Sequence, residues 1–211
     1  MSLYLGKIHY WLFNKIVWFE NLEGEIITLA KNEGLNIEEL SQEINNKYGA
    51  KLPNLPLEEM IDTSNIHGWL QGKIHAAEGR LATWSTKLLE KESVNGKLES
   101  LYINQGIKAA KEAKEEGKIA GTASDIFNAV NDYILDGMPC DRVNQVLSDE
   151  ENKVTWKRTL CVHKDIWNHV GGDVKYFYDL RNLWIKAFVN ELNKNFNYVV
   201  CENDEFSIER I

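Results

Sequence analysis

Three cysteines, three prolines and no long apolar run are what this 211-residue chain is short of. Cys140, Cys161 and Cys201 are odd in number and widely spaced, which makes a poor disulfide framework and fits a reducing compartment. No apolar stretch approaches the roughly 20 residues that span a bilayer. The N-terminal segment is interrupted by Lys7, His9, Asn14 and Lys15 and carries no leader-like pattern. A cytoplasmic protein without stable membrane insertion is the expectation. Basic excess is lacking too: 32 acidic residues face 24 basic ones, for a net charge of −8. The lysines of KAAKEAKEEGK are interleaved with glutamates, so no basic patch marks a nucleic-acid partner. GxGxxG, Walker, HExxH, GxSxG and CxxC patterns are all absent. That argues against Rossmann hydride transfer, P-loop phosphoryl transfer and serine hydrolysis.

What is present is an ordinary globular balance, 44% hydrophobic and 27% charged, enough for one core or two small subdomains. Seven tryptophans and few prolines point to helix-rich packing. Leu5, Ile8, Leu12, Ile16 and Phe19 recur at helical spacing up to about Glu20, and Tyr4, Trp11 and Trp18 widen that face. A second short helix closes at Gly34, and a third opens at Asn36, with Glu39 three residues on and Gly49 past its end. Pro53 and Pro56 mark an irregular connection. From Asn65 to about Lys91, one long helix carries Ile66, Leu70, Ile74, Ala77, Leu81, Trp84 and Leu88 as its stripe. Gly68, Gly72, Ala76 and Gly79 lie opposite. Glycine inside a helix costs about 1 kcal/mol relative to alanine, so this face invites close approach of a backbone or a flat ligand.

The texture then changes. After a helix from Leu98 and one capped by Ser124 and running to Gly137, two β-rich segments, 142–147 and 153–161, flank the turn SDEEN. A short helix at 165–170 and the break Gly171-Gly172 precede an Asp173-capped helix with Phe177, Leu180, Trp184, Phe188 and Leu192 on one stripe. FNYVVC and FSIERI finish the chain as strands. The fold class is α+β: a helical subdomain over 1–92, then an α+β domain over 93–211 whose two hairpins share one small antiparallel sheet.

Three groups of residues could carry chemistry. Cys161 and His163, two apart, share a face if the strand stays extended, and Cys140 in the turn DGMPCD is a third member. A thiolate with a neighbouring imidazole suits nucleophilic attack or soft-metal binding; the plain reading is a core cysteine beside a surface histidine. On the long helix, His67, Gln71, His75 and Glu78 follow one flank. His67 and His75 are roughly 12 Å apart and cannot share an ion, whereas Gly72, His75 and Glu78 could edge a ligand pocket. In DVKYFYDLR, Tyr176, Tyr178, Asp179 and Arg181 could orient a carboxylate or amide; the plainer reading makes Asp179 and Arg181 helix-surface charges, with Phe177 and one tyrosine in the core.

The segments VTWKRTLCVHKDIW, LRNLWIKAFVNEL and FNYVVCENDEFSIERI, in that order, resemble the C-terminal domain of 4-vinyl reductase type small-molecule-binding proteins and of L-2-amino-thiazoline-4-carboxylic acid hydrolase-like proteins. Cys161 matches the strand-end cysteine of that pattern and Cys201 the first cysteine of its terminal turn; no second cysteine follows in FSIERI. The resemblance implies a small-molecule pocket between sheet and helices, with ring-opening hydrolysis of a small cyclic amide-like substrate as one activity. A thiol-dependent hydrolase would use Cys161 as nucleophile and His163 as base, with Cys140, Gly72, His75, Glu78 and Tyr178 around the ligand. Two alternatives stand beside it. One is a metal- or haem-binding sensor using His75, Glu78 and a cysteine. The other is a helical interaction module that forms a homodimer through Trp11 and Trp18. The residues specify no cofactor.

Overall fold

The computed structural model describes residues 5–91 and 94–211, with the side chain of Asn95 excepted. Tyr4 of the expected N-terminal face lies outside them. The fold is α+β, with a helical N-terminal part followed by a part that contains a small four-stranded antiparallel sheet. By contacts the chain divides into two compact units. One runs up to Leu98 and takes in His163–Asp173; the other comprises Glu99–Val162 and Val174–Ile211. The 163–173 segment therefore packs with the helical unit, although it lies in sequence within the β-containing part. No helix among the described residues is long and apolar enough to cross a membrane.

The first unit is built on helix α1 (Lys7–Asn32), α2 (Ile37–Tyr48), the short α3 (Leu57–Met60), and α4 (Ile66–Leu89). The break expected after Glu20 does not occur. Gly24 is carried inside α1, because Leu22, Ile26 and Ala30 continue the buried stripe past it. Asn36 caps α2 through its side chain, which accepts from the Glu39 amide, and Gly49 ends it at φ 80°. All seven stripe residues of α4 are buried, each worth about 1.5–3 kcal/mol against exposure for the larger side chains. The glycines opposite have separate causes. A Cβ on Gly68 would collide with the Asn65 side chain that caps α4, and one on Gly79 would strike the Tyr48 ring at 2.4 Å. Gly72 faces open space. The close approach therefore comes from a neighbouring side chain and is confined to one turn.

The first unit also buries charge. Arg80 Nε bonds Glu23, its Nη2 bonds Glu20, and its Nη1 reaches the carbonyls of Gly49 and Ala50. The Glu20 carboxylate accepts in addition from the Leu52 amide. Burial raises the Glu23 carboxyl above the ordinary glutamate range, and Arg80 pulls it back only in part. Such a triad ties α1, α4 and the loop after α2 into one arrangement, because each member's loss strands a buried charge.

The second unit holds most of α5 (Asn95–Glu115), then α6 (Ala123–Asn131), β1 (Asn144–Glu150), β2 (Lys153–Arg158), α8 (Val174–Leu192), β3 (Phe196–Val200) and β4 (Glu205–Arg210); α7 (Lys164–His169) belongs to the first. The α6 cap is Thr122 rather than Ser124: its hydroxyl accepts from the Asp125 amide, and the Asp125 carboxylate answers to the Thr122 amide. The strand order is β1-β2-β4-β3, so the two hairpins form one sheet. The register pairs Trp156 with Phe206 and Tyr198 with Ile208, which lines aromatic side chains along one face. Period-2 alternation keeps Val154 and Trp156 on this face with them, and α6 and α8 cover it. The α8 stripe Phe177, Leu180, Trp184, Phe188 and Leu192 is buried throughout. Gly106 of α5 lets the α8 backbone approach: a Cβ there would lie 2.4 Å from the Trp184 carbonyl oxygen.

Candidate functional site: an arginine-lined recess in the second unit

The strand that should have placed Cys161 and His163 on one face stops at Arg158. Beyond it the alternation lapses, and His163 has helical backbone angles at the start of α7. His163 is sealed at 1% exposure within the first unit, its Nδ1 2.9 Å from Glu78 Oε1. The two groups lie at ion-pair distance but off hydrogen-bond alignment. An imidazole so enclosed is a buried joint between α4 and α7 and not a solvent-accessible base. Cys140 is exposed in a single 3-10 turn, Pro139–Asp141, and Cys161 is half-buried. Both thiols, like that of exposed Cys201, are free. The Cys161 sulfur accepts from the Tyr178 hydroxyl at 3.2 Å.

The long-helix constellation also separates. His75 is exposed and shares a 2.8 Å hydrogen bond with Gln71, whereas Glu78, three residues on, is buried. His67 sits against the His9 ring with centroids 5.5 Å apart. Gly72, His75 and Glu78 therefore do not edge a common pocket, because the −60° step between i and i+3 crosses from the wet to the dry side of α4. Among the described residues, no three His, Cys, Asp or Glu side chains gather as a metal-binding group.

Of the expected ligand residues, Tyr178 does line a cavity. Phe127, Val130, Asn131 and Ile134 of α6 and its extension meet Trp156 and Arg158 of β2, Tyr178, Asn182 and Ile185 of α8, and Tyr198 and Phe206 of the sheet around it. Asp136, Asn144 and Arg181 complete its wall. The recess is shallow, with a cavity volume of about 40 Å³, and opens to solvent at its mouth. Its apolar side is a stack of rings. Trp156, Tyr198 and Phe206 have centroids 5.8 to 6.2 Å apart and planes within 30°.

The polar side includes two guanidiniums, three side-chain amides and the Asp136 carboxylate. Arg181, read from sequence as a surface charge, is buried instead. Its Nη1 bonds Asp136 at 2.8 Å, its Nη2 bonds the Leu135 carbonyl at 2.6 Å, and its plane lies over Phe177. Asn144 donates to the second Asp136 oxygen. Arg158 lies 3.5 Å from the Tyr178 ring centroid and pairs through Nη2 with Asp204. The Asn182 carbonyl accepts from the Tyr198 hydroxyl at 2.8 Å, leaving its amide donors without a protein partner among the described residues. Burial raises the phenols of Tyr178 and Tyr198 well above the usual range despite the arginines nearby, so both are neutral donors at physiological pH.

Arg158 was legible in part. The alternation that turns Val154 and Trp156 inward continues to position 158 and puts a charge on the core side of a strand end, which calls for a partner or a ligand. Nothing local marks Asn182 or Asn144. Comparison with protein-family models, curated proteins and solved structures returns no match for this chain.

Proposed function

We propose that this protein binds a small organic molecule in the recess of its second unit. The observation that supports this most is the lining itself: a stack of three aromatic rings facing Arg158 and the Asn182 amide, around a cavity open to solvent. A concave, mostly apolar site with a few convergent polar groups is the general form of a small-molecule site. The likeness to 4-vinyl reductase type domains points the same way, since it implies a pocket between sheet and helices.

A thiol-using hydrolase is the catalytic form of this reading. Cys161 supports it, because its sulfur is held by the hydroxyl of Tyr178, a residue that lines the recess. In that form the Cys161 sulfur adds to the amide carbonyl carbon, and the ring C–N bond breaks as the thiol proton passes to the nitrogen through solvent rather than through the enclosed His163. Water then hydrolyses the thioester to release the ring-opened acid and the free thiol.

Filling the recess tests binding directly. Ile134→Trp should abolish the thermal shift given by any fragment that raises the melting temperature of the native chain. Fragments that stabilise the filled variant equally would place the ligand elsewhere. Loss of turnover in Cys161→Ser with fragment binding retained would establish the hydrolase; binding without any thiol-dependent turnover would leave a binding protein.

A further inference from the structure

We propose that the ligand of this recess is an aromatic monocarboxylate of one-ring size, anchored by Arg158; the inference rests on the small-molecule reading above and narrows it. A guanidinium offers five N–H donors in a planar fork. Arg158 spends one of them, from Nη2, on Asp204, and its other donors meet no acceptor among the described residues. Its side chain is 16% exposed, and its unused donors are not sealed from water. The side chain is held on its flat face by Tyr178, which leaves the edge of the fork available. A carboxylate fits that edge bidentately.

Arg181 is not the anchor, because Asp136 and the Leu135 carbonyl already hold two of its nitrogens. Asp136 pairs with Arg181 and Asp204 with Arg158, so a ligand carboxylate reaches the spare edge of Arg158 by sharing or displacing Asp204. The near-parallel Trp156, Tyr198 and Phe206 rings suit a planar aromatic body. The Asn182 donors, with the carbonyl oxygens of Asn131 and Asn144, suit a polar ring substituent such as a hydroxyl.

Asp204 is the competitor. It sits 56% exposed in the four-residue connection 201–204 between β3 and β4, where Asn203 and Asp204 are both at positive φ. This connection presents its carboxylate to the solvent side of Arg158, where an incoming carboxylate would share or displace it.

The test is a titration of the full chain with 4-hydroxybenzoate, its neutral isostere 4-hydroxybenzamide, and acetate, read by amide and arginine Nε–H chemical shifts. The native protein should bind 4-hydroxybenzoate with shifts at Arg158, Tyr178, Asn182 and Phe206. It should bind 4-hydroxybenzamide roughly 10- to 100-fold more weakly, the value of a charge-assisted pair, and acetate more weakly still. Arg158→Gln should bring acid and amide to equal affinity, Arg158→Lys should recover part of the difference, and Asp204→Asn should raise the affinity for the acid several-fold. Equal binding of acid and amide by the native chain would overturn the anion anchor and leave the small-molecule reading standing. So would a weaker Asp204→Asn variant. No shift at the recess from any probe at millimolar concentration would overturn both. If Arg158→Gln does not fold, the acid-to-amide ratio in the native chain and the Asp204→Asn response decide alone.

Discussion

Two ion-paired arginines, one in each unit, are used in opposite ways. Arg80 in the first unit has all three nitrogens engaged by Glu20, Glu23 and two backbone carbonyls, at 1% exposure. Arg158 in the second has one donor engaged, by a carboxylate that is itself half in water. A saturated guanidinium fixes loops and helices and has nothing left for a ligand. An unsaturated one, on the Tyr178 ring and lining an open recess, keeps donors to spare. The two differ in burial, 1% against 16%, and also in the count of unspent donors.

Removing each arginine should sharpen that contrast. Arg80→Ala leaves two carboxylates stranded, and a cost of about 3–5 kcal/mol should appear as an early urea midpoint. Replacing the triad together, as Arg80→Met with Glu20→Leu and Glu23→Leu, should restore much of that loss, since the ion cluster is worth little against a packed apolar core. Gly106→Ala tests a purely steric feature of the second unit. The added methyl must push the α8 backbone away, at about 1–3 kcal/mol for overpacking, offset in part by the ~1 kcal/mol that alanine gains in a helix. Calorimetry should show a lower melting temperature despite the better helix former.

The pH dependence follows from Glu23. Its folded pKa is raised, chiefly by burial, so the folded state holds this proton more firmly than the unfolded one. Glu23 therefore contributes stability that is fully present below the ordinary glutamate pKa and is lost as pH rises through the raised value. Glu23→Gln should flatten stability measured upward from pH ~4.5 through this window; an unchanged slope would mean that the carboxyl is not the group responsible. Arg158→Gln should have the smallest effect on folding, about 0–1 kcal/mol, because its ionic partner among the described residues, Asp204, is exposed. A loss as large as that of Arg80→Ala would erase the distinction between the two arginines.

Much of the scaffold could be read along the chain. The stripes of α4 and α8 are periodic and long, Asn36 and Gly49 bracket α2 by local chemistry, and the alternation of VTWKR and FSIERI yields a sheet whose aromatic face is buried. Such signals are local. The site was less legible because its members lie far apart in sequence: Asp136 pairs with Arg181 across 45 residues, and Arg158 with Asp204 across 46. Tyr178 was picked from its motif and lines the recess. Gly72, His75 and Glu78 share a helix flank by spacing, but the angular step from position 75 to 78 takes one into solvent and the other against His163. The Cys161/His163 pairing assumed an extended backbone that ends three residues before the cysteine.

The central claim, that ligand binding belongs to the second unit and that the first is structural, is most directly tested by a chemical-shift map of the whole chain against a library of one-ring aromatic fragments. The account predicts that shifts cluster on Trp156, Arg158, Tyr178, Asn182, Tyr198 and Phe206. Shifts concentrated instead on the Gly72, His75 and Glu78 turn of α4 would contradict it.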